Sequence, residues 1–166
     1  WFDPLRVAQA VEKIGGELAK IDPPGAPYYR EKVENYIGQL KLLHEYIIQE
    51  FEKIPPNKRI VMTSHESLGY LGDRYNVEIL RAVVPDLDSG IGPSPRDLVS
   101  AIEAVERNEI SVIFLDSRFN DESARRVAEE TGINVVSGLE VESLGSTGSY
   151  VNMMMLNVKI LVSNLS

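Results

Sequence analysis

From Arg59 onward the sequence alternates short apolar runs with helical patterns, and this alternation constrains the fold more than any other feature. The clearest run is residues 111–115, which is apolar after its first residue. Further β-rich runs are predicted at 59–64, 77–84 and 133–136, and helices at about 65–75, 95–107, 121–130 and 150–163. Continuous apolar strands separated by helices are typical of a parallel sheet that is covered on both faces. We therefore predict an α/β fold with a four-stranded, mainly parallel sheet.

Two helices are predicted ahead of the sheet. The first begins at Asp3, a typical N-cap residue, with Pro4 at its first position. Its apolar residues recur at helical spacing: Val7, Val11, Ile14 and Leu18. The second covers about 27–53, roughly 40 Å at about 1.5 Å per residue, which is longer than a small domain needs. We expect it to pack on the sheet domain through Leu40, Leu43, Ile47 and Phe51, with its first turns directed toward another body.

Composition excludes several classes of function. The chain of 166 residues has 17 basic and 25 acidic residues, a net charge of −8, and no clustered basic run. This argues against a nucleic-acid surface, because phosphate contacts need grouped Lys and Arg. Cysteine is absent, which excludes disulfides, thiolate nucleophiles and Cys-based zinc sites.

Ligands of parallel α/β sheets bind beyond the carboxyl ends of the strands, so the residues that follow each strand are the candidate site. His65 follows the first predicted strand, and Glu140 and Glu142 follow the fourth. His65 could be a metal ligand, a general base beside Asp116 or Glu142, or a helix cap. An imidazole with a carboxylate is a donor set for zinc or manganese. The alternatives are an α/β enzyme and an interaction module in which these side chains lie apart.

Several segments, in this order, resemble the substrate-binding proteins of bacterial and archaeal metal ABC transporters, the zinc/manganese family of the cluster A-I type. Trp1-Phe2-Asp3-Pro4 is similar to the end of a His-x-Trp-x-Asp-Pro motif, and the long helix to the helix between the two lobes. The other segments that carry the resemblance are Thr63 to Leu71 (Thr-Ser-His-x-x-x-x-Tyr), Pro93-Ser94-Pro95, Val112 to Asp116, Val141 to Gly145 (x-Asp-x-Leu-Gly), and Tyr150 with Met154 and Asn157.

The resemblance implies a receptor that performs no chemistry. It would capture a divalent metal ion, Zn²⁺ or Mn²⁺, between two lobes and deliver it to the permease of an ABC importer. His65 and Glu142 are implied as the metal ligands of this lobe. Glu140 is the alternative to Glu142, because Glu142 stands where the family usually has Asp. The imidazole of His65 favours zinc over manganese.

The resemblance also implies a division of the chain. Residues 1–26 would be a helix of the first lobe, 27–56 the interlobe helix, and 57–166 the C-terminal lobe. The other ligands are expected upstream of Trp1, one of them a His two residues before it. The expected location is the periplasm or the outer face of the cytoplasmic membrane. The face left by the other lobe is expected to allow self-association.

Overall fold

The computed structural model describes residues 1–63, 67–81, 94–118 and 122–165. The predicted α/β class is confirmed by the elements in these ranges. The helices are α1 (Pro4–Ile21), α2 (Ala26–Glu52), α3 (Gly69–Tyr75), α4 (Pro95–Arg107), α5 (Glu122–Thr131) and α6 (Tyr150–Leu165). The strands are β1 (Ile60–Thr63), β2 (Glu78–Arg81), β3 (Val112–Asp116) and β4 (Asn134–Leu139). The predicted site residue His65 and residues 82–84, the predicted end of the second strand, lie outside the described residues.

The four strands form one parallel sheet in the order β2-β1-β3-β4. Thr63, the last described residue of β1, pairs with Phe114 of β3. Asp116 ends β3 and pairs with Leu139, the last residue of β4. Because all strands run the same way, the loops that follow them leave from one edge of the sheet, which we call the carboxyl edge.

Side chains of successive strand residues point to opposite faces, and each face has its own apolar core. On one face Val61, Val112 and Phe114 pack with residues of α2, α3 and α6. On the other face the alternate residues, among them Met62 and Ile113, pack with residues of α4 and α5. All five residues of β3 are buried, since helices cover both faces of this inner strand.

The long helix α2 has two different environments. Its carboxyl-terminal half carries the four residues expected to pack on the sheet domain, and all are buried: Leu40, Leu43, Ile47 and Phe51. Its amino-terminal half lies against α1, where Gly15 is buried beside the side chain of Val33. Within the described residues, α1 is therefore a neighbour of the amino-terminal half of α2. Contact between the first turns of α2 and a further lobe stays a prediction.

The helix pair α1 and α2 leaves an apolar groove of about 700 Å³. It is lined by Val11, Ile14, Leu18, Val33 and Tyr36, among others. Ile14 is 59% exposed although it belongs to the predicted apolar stripe of α1. The periodicity correctly predicted the helix, but within the described residues the stripe is only partly covered.

None of the described helices is both long and apolar enough to cross a bilayer.

Candidate metal centre

The loop after β4 carries both candidate glutamates, and a buried amide fixes its start. Asn157 of α6 is 1% exposed. Its Oδ1 accepts a hydrogen bond from the backbone N–H of Glu140, and its Nδ2 donates to the carbonyl of the same residue, both at 2.8 Å. This two-point contact replaces a strand partner where β4 ends. The backbone at Glu140 is thus held by a side chain of the core.

A β-bulge sets the direction in which this loop leaves the sheet. Leu115 pairs with Ser137 and Asp116 with Leu139, which leaves Gly138 without an opposite residue. Gly138 has a φ of 111°, a conformation that side-chain-bearing residues rarely adopt. Bulges bend a strand and redirect the side chains that follow, and they are frequent near functional sites. The residue types at the end of β4 therefore decide where Glu140 and Glu142 point.

The carboxylate of Glu140 is engaged within its own loop. Its Oε2 accepts a hydrogen bond from the Ser143 hydroxyl at 3.2 Å. Gly145 lies directly against this carboxylate, so a Cβ at that position would collide with it. Glu140 is half-buried, and its side chain helps to shape the turn.

Glu142 has a different environment, because its carboxylate projects from the loop and meets an arginine from the loop after β3. Its side chain is 50% exposed, and Oε2 accepts a hydrogen bond from Nη2 of Arg118 at 2.5 Å. Arg118 is itself anchored on Asp116, whose Oδ1 accepts from the Arg118 backbone N–H at 2.8 Å. No motif or spacing in the sequence pointed to Arg118. Asp116, Arg118 and Glu142 thus form one charged group at the carboxyl edge.

The first residues of the chain also contact the glutamate loop. The indole Nε1–H of Trp1 donates to the carbonyl of Val141 at 2.8 Å, and the hydroxyl of Tyr150 donates to the carbonyl of Trp1 at 2.7 Å. Burial raises the pKa of Tyr150, so its hydroxyl keeps its proton at physiological pH. Val141 lies between the two glutamates, so Trp1 holds the backbone one residue after the Asn157 contact.

The structure places Glu142 at the carboxyl edge, as the sequence predicts, while His65 falls outside the described residues. Their meeting at a shared site therefore stays a prediction. Within the described ranges, no three His, Asp or Glu side chains are arranged to hold a metal ion. Sequence reasoning did not foresee the contact roles of Asn157 and Trp1. A signal existed for Asn157, since a lone amide on the buried face of an apolar helix usually has a specific hydrogen-bond partner.

Comparisons with known proteins agree with this architecture. The chain is 26% identical over 170 residues to the manganese-binding lipoprotein MntA of Halalkalibacterium halodurans, covering 100% of this chain and 56% of that protein. It is 22% identical over 170 residues to the metal ABC transporter substrate-binding lipoprotein SloC of Streptococcus mutans, covering 100% and 55%. The chain thus spans about half the length of these curated relatives.

The fold also matches that of a solved structure. The periplasmic zinc-binding protein TroA of Treponema pallidum superposes with a TM-score of 0.87 at 22% identity, covering 100% of this chain and 62% of that one. This likeness concerns the fold.

The family described as "Zinc-uptake complex component A periplasmic" matches residues 1–164. The family and these relatives are binding receptors rather than enzymes, which confirms the prediction of a non-enzymatic role. The resemblance drawn from the motifs is confirmed, and the chain belongs to the ZnuA family of periplasmic zinc-uptake components.

Proposed function

We propose that this chain is the C-terminal lobe, with the preceding helices, of a two-lobed receptor that captures a divalent metal ion and delivers it to the permease of an ABC importer. The observation that carries the proposal is Glu142. Its carboxylate stands half-exposed at the carboxyl edge of the sheet, on a loop whose backbone is fixed by Asn157 and Trp1. A carboxylate that projects from a rigid loop is held in position to coordinate a metal ion.

In this proposal His65 and Glu142 are the ligands that this lobe contributes. Glu142 is preferred to Glu140 because the Glu140 carboxylate is engaged by Ser143 and packed against Gly145. The remaining ligands come from the first lobe. Residues 1–26 belong to that lobe, 27–56 to the interlobe helix and 57–166 to the C-terminal lobe. The receptor acts in the periplasm or at the outer face of the cytoplasmic membrane.

Zinc is the favoured cargo. Imidazole suits zinc better than it suits manganese, which prefers oxygen donors. The relative MntA is named as a manganese-binding protein, so manganese is the competitor that an experiment must include. Self-association of the chain by itself, through the face left by the other lobe, stays a prediction.

Calorimetric titration of the two-lobed protein with zinc chloride, and separately with manganese chloride, tests the proposal. We expect tight zinc binding, a large loss in His65→Ala and a smaller loss in Glu142→Ala. Glu103→Ala removes an exposed carboxylate from the last turns of α4, remote from the carboxyl edge, and should leave the affinity unchanged. Unchanged affinity in both ligand variants would remove the metal assignment.

The same titration on the 166-residue chain separates the two-lobed proposal from a one-lobed site. Two ligands leave most of the hydration shell of a metal in place, so the chain should bind zinc orders of magnitude more weakly than the two-lobed protein. Tight, stoichiometric binding by the chain alone would show that the complete ligand set lies within it.

A further inference from the structure

The ion pair between Arg118 and Glu142 joins two loops at the carboxyl edge. Arg118 follows β3 and Glu142 follows β4, and the pair connects Nη2 to Oε2 at 2.5 Å. Both side chains are about half-exposed, at 44% and 50%. A guanidinium therefore lies directly on one oxygen of the carboxylate that the proposed function assigns to a metal ion.

Asp116 keeps Arg118 at this place. One Asp116 oxygen, Oδ1, accepts from the Arg118 backbone N–H and lies 3.9 Å from its Nε. The other, Oδ2, is buried and has no hydrogen-bond partner among the described residues. The group thus has two carboxylates and one guanidinium, and Glu140 adds a third negative charge nearby. Among the described residues, carboxylates therefore outnumber the guanidinium at this place even while Arg118 is paired with Glu142.

A metal ion and a guanidinium cannot use the same carboxylate oxygen in the same way. Zinc–carboxylate distances are about 2.0–2.2 Å, which places the ion where the N–H of the arginine now points. Arg118 is always positively charged, so it cannot yield its place by losing a proton. Metal capture at the lone pair that Arg118 now occupies therefore requires the guanidinium to move away from Oε2 of Glu142.

We propose that Arg118 is a built-in competitor for Glu142 that lowers the affinity of the site and speeds release of its cargo. This inference rests on the proposed function, since it assumes that Glu142 is a metal ligand. When the metal arrives, Glu142 exchanges the guanidinium for the ion, and Arg118 stays attached to Asp116 through its backbone. When the metal leaves, Arg118 returns to Glu142, so this carboxylate is not left without a partner.

The size of the effect follows from the exposure of the pair. Half-exposed ion pairs are weak in water, and salt screens them further. Arg118 therefore tunes the affinity for metal rather than blocking the site. Removing its charge should strengthen binding roughly three- to tenfold, the range expected from the loss of a weak competing pair and of one like charge beside a divalent ion.

The test compares Arg118→Gln with the unaltered two-lobed protein by titration with zinc chloride and manganese chloride. Arg107→Gln is the matched control, since it removes the same charge from the exposed end of α4, remote from the carboxyl edge. Arg118→Lys keeps the charge but loses the planar fork of the guanidinium. Its affinity for metal should therefore lie between those of the unaltered protein and Arg118→Gln. Circular dichroism melting checks that all variants are folded.

We expect Arg118→Gln to bind each metal about three- to tenfold more tightly and to release it to excess chelator more slowly by a similar factor. The difference from the unaltered protein should shrink as salt rises from about 0.05 M to about 0.5 M, because screening weakens the pair. Arg107→Gln should behave like the unaltered protein in both measurements.

Three results would overturn the inference. If the unaltered protein binds metal but Arg118→Gln binds it equally, Arg118 does not compete and only this inference fails. If Arg118→Gln binds more weakly, Arg118 orients Glu142 instead of opposing the metal. If the unaltered protein binds neither metal, the proposed function fails and this inference fails with it.

Discussion

The glutamate loop after β4 and the helix pair α1–α2 differ in what holds them. Directed hydrogen bonds from Asn157 and Trp1 fix the backbone of the loop at neighbouring residues. The helix pair is held mainly by side-chain packing, with Gly15 packed against Val33 and an open groove alongside. The comparison teaches that single side chains control the geometry of the loop, whereas the helix pair depends on the fit of two surfaces.

The largest effect is expected from Asn157→Ala, which removes both bonds to the Glu140 backbone. Each hydrogen bond contributes about 1 kcal/mol, and a buried group left without a partner adds to the loss. We expect the free energy of unfolding to fall by about 2–3 kcal/mol in urea melts, and the metal affinity of the two-lobed protein to fall as well. Asn152→Ala, at an exposed position of the same helix, is the control and should cost under about 1 kcal/mol. Equal losses in the two variants would contradict the special role of Asn157.

Two adjacent glycines of α1 test how closely the helix pair packs. A Cβ at Gly15 would collide with a methyl group of Val33, while nothing lies within 4 Å of a Cβ at Gly16. Gly15→Ala should therefore destabilise the chain by about 1–2 kcal/mol through overpacking. Gly16→Ala should stabilise it by about 0.5–1 kcal/mol, because alanine favours the helix. Thermal melts of both variants measure this, and the same sign of change in both would show that α1 and α2 do not pack closely at Gly15.

A smaller effect is expected from Trp1→Phe, which keeps an aromatic ring but removes the donor to the Val141 carbonyl. Trp1 is 60% exposed, so water can replace part of the lost bond. We expect a loss of about 0.5–1 kcal/mol in unfolding free energy. Amide hydrogen exchange should report faster opening in the glutamate loop, with no change in α4. Unchanged exchange in the loop would mean that Asn157 alone holds it.

The smallest effect at neutral pH is expected at Asp3, the N-cap residue of α1. Burial by itself raises the pKa of Asp3, but hydrogen bonds from the Arg74 side chain and from the backbone of Arg6 and Leu5 outweigh it and lower the pKa below its usual value. The stabilisation is present above the unfolded pKa of about 3.9 and is lost as pH falls through the lower, folded pKa. Urea melts between pH 7 and pH 2 should therefore show a loss only in the acid range. Asp3→Asn should be less stable at pH 7 and should lose less on acidification.

Local signals in the sequence predicted local structure well. Asp3 and Pro4 begin α1, and the Asp3 side chain accepts from the backbone of Leu5 and Arg6. Ser94 and Asp97 form a capping box at the start of α4. These features were predictable because a cap involves residues within one turn of each other. The apolar run of β3 likewise predicted a strand buried on both faces.

The contacts that shape the candidate site were not predictable in this way. Arg118 and Glu142 are 24 residues apart in the sequence, and their meeting depends on the bulge at Gly138 and on the turn after Asp116. The periodicity of α1 showed which residues share a face, but it could not show that Ile14 would remain exposed. The position of Glu142 after the fourth strand was enough to predict the sheet edge at which it lies. The partner of its carboxylate, Arg118, can be identified only from the three-dimensional fold.

The contacts of Trp1 have a consequence for the order of folding. They join residues that are 140 and 149 positions apart, nearly the full length of the chain. Closing so long a loop costs more entropy than closing a short one, and contacts of this separation form after the local ones. The loop with Glu142 therefore acquires its final geometry late, when the sheet and α6 are already in place. Metal binding would act on a finished scaffold, and its stabilising effect would appear in the unfolding rate rather than in the rate at which the chain first folds.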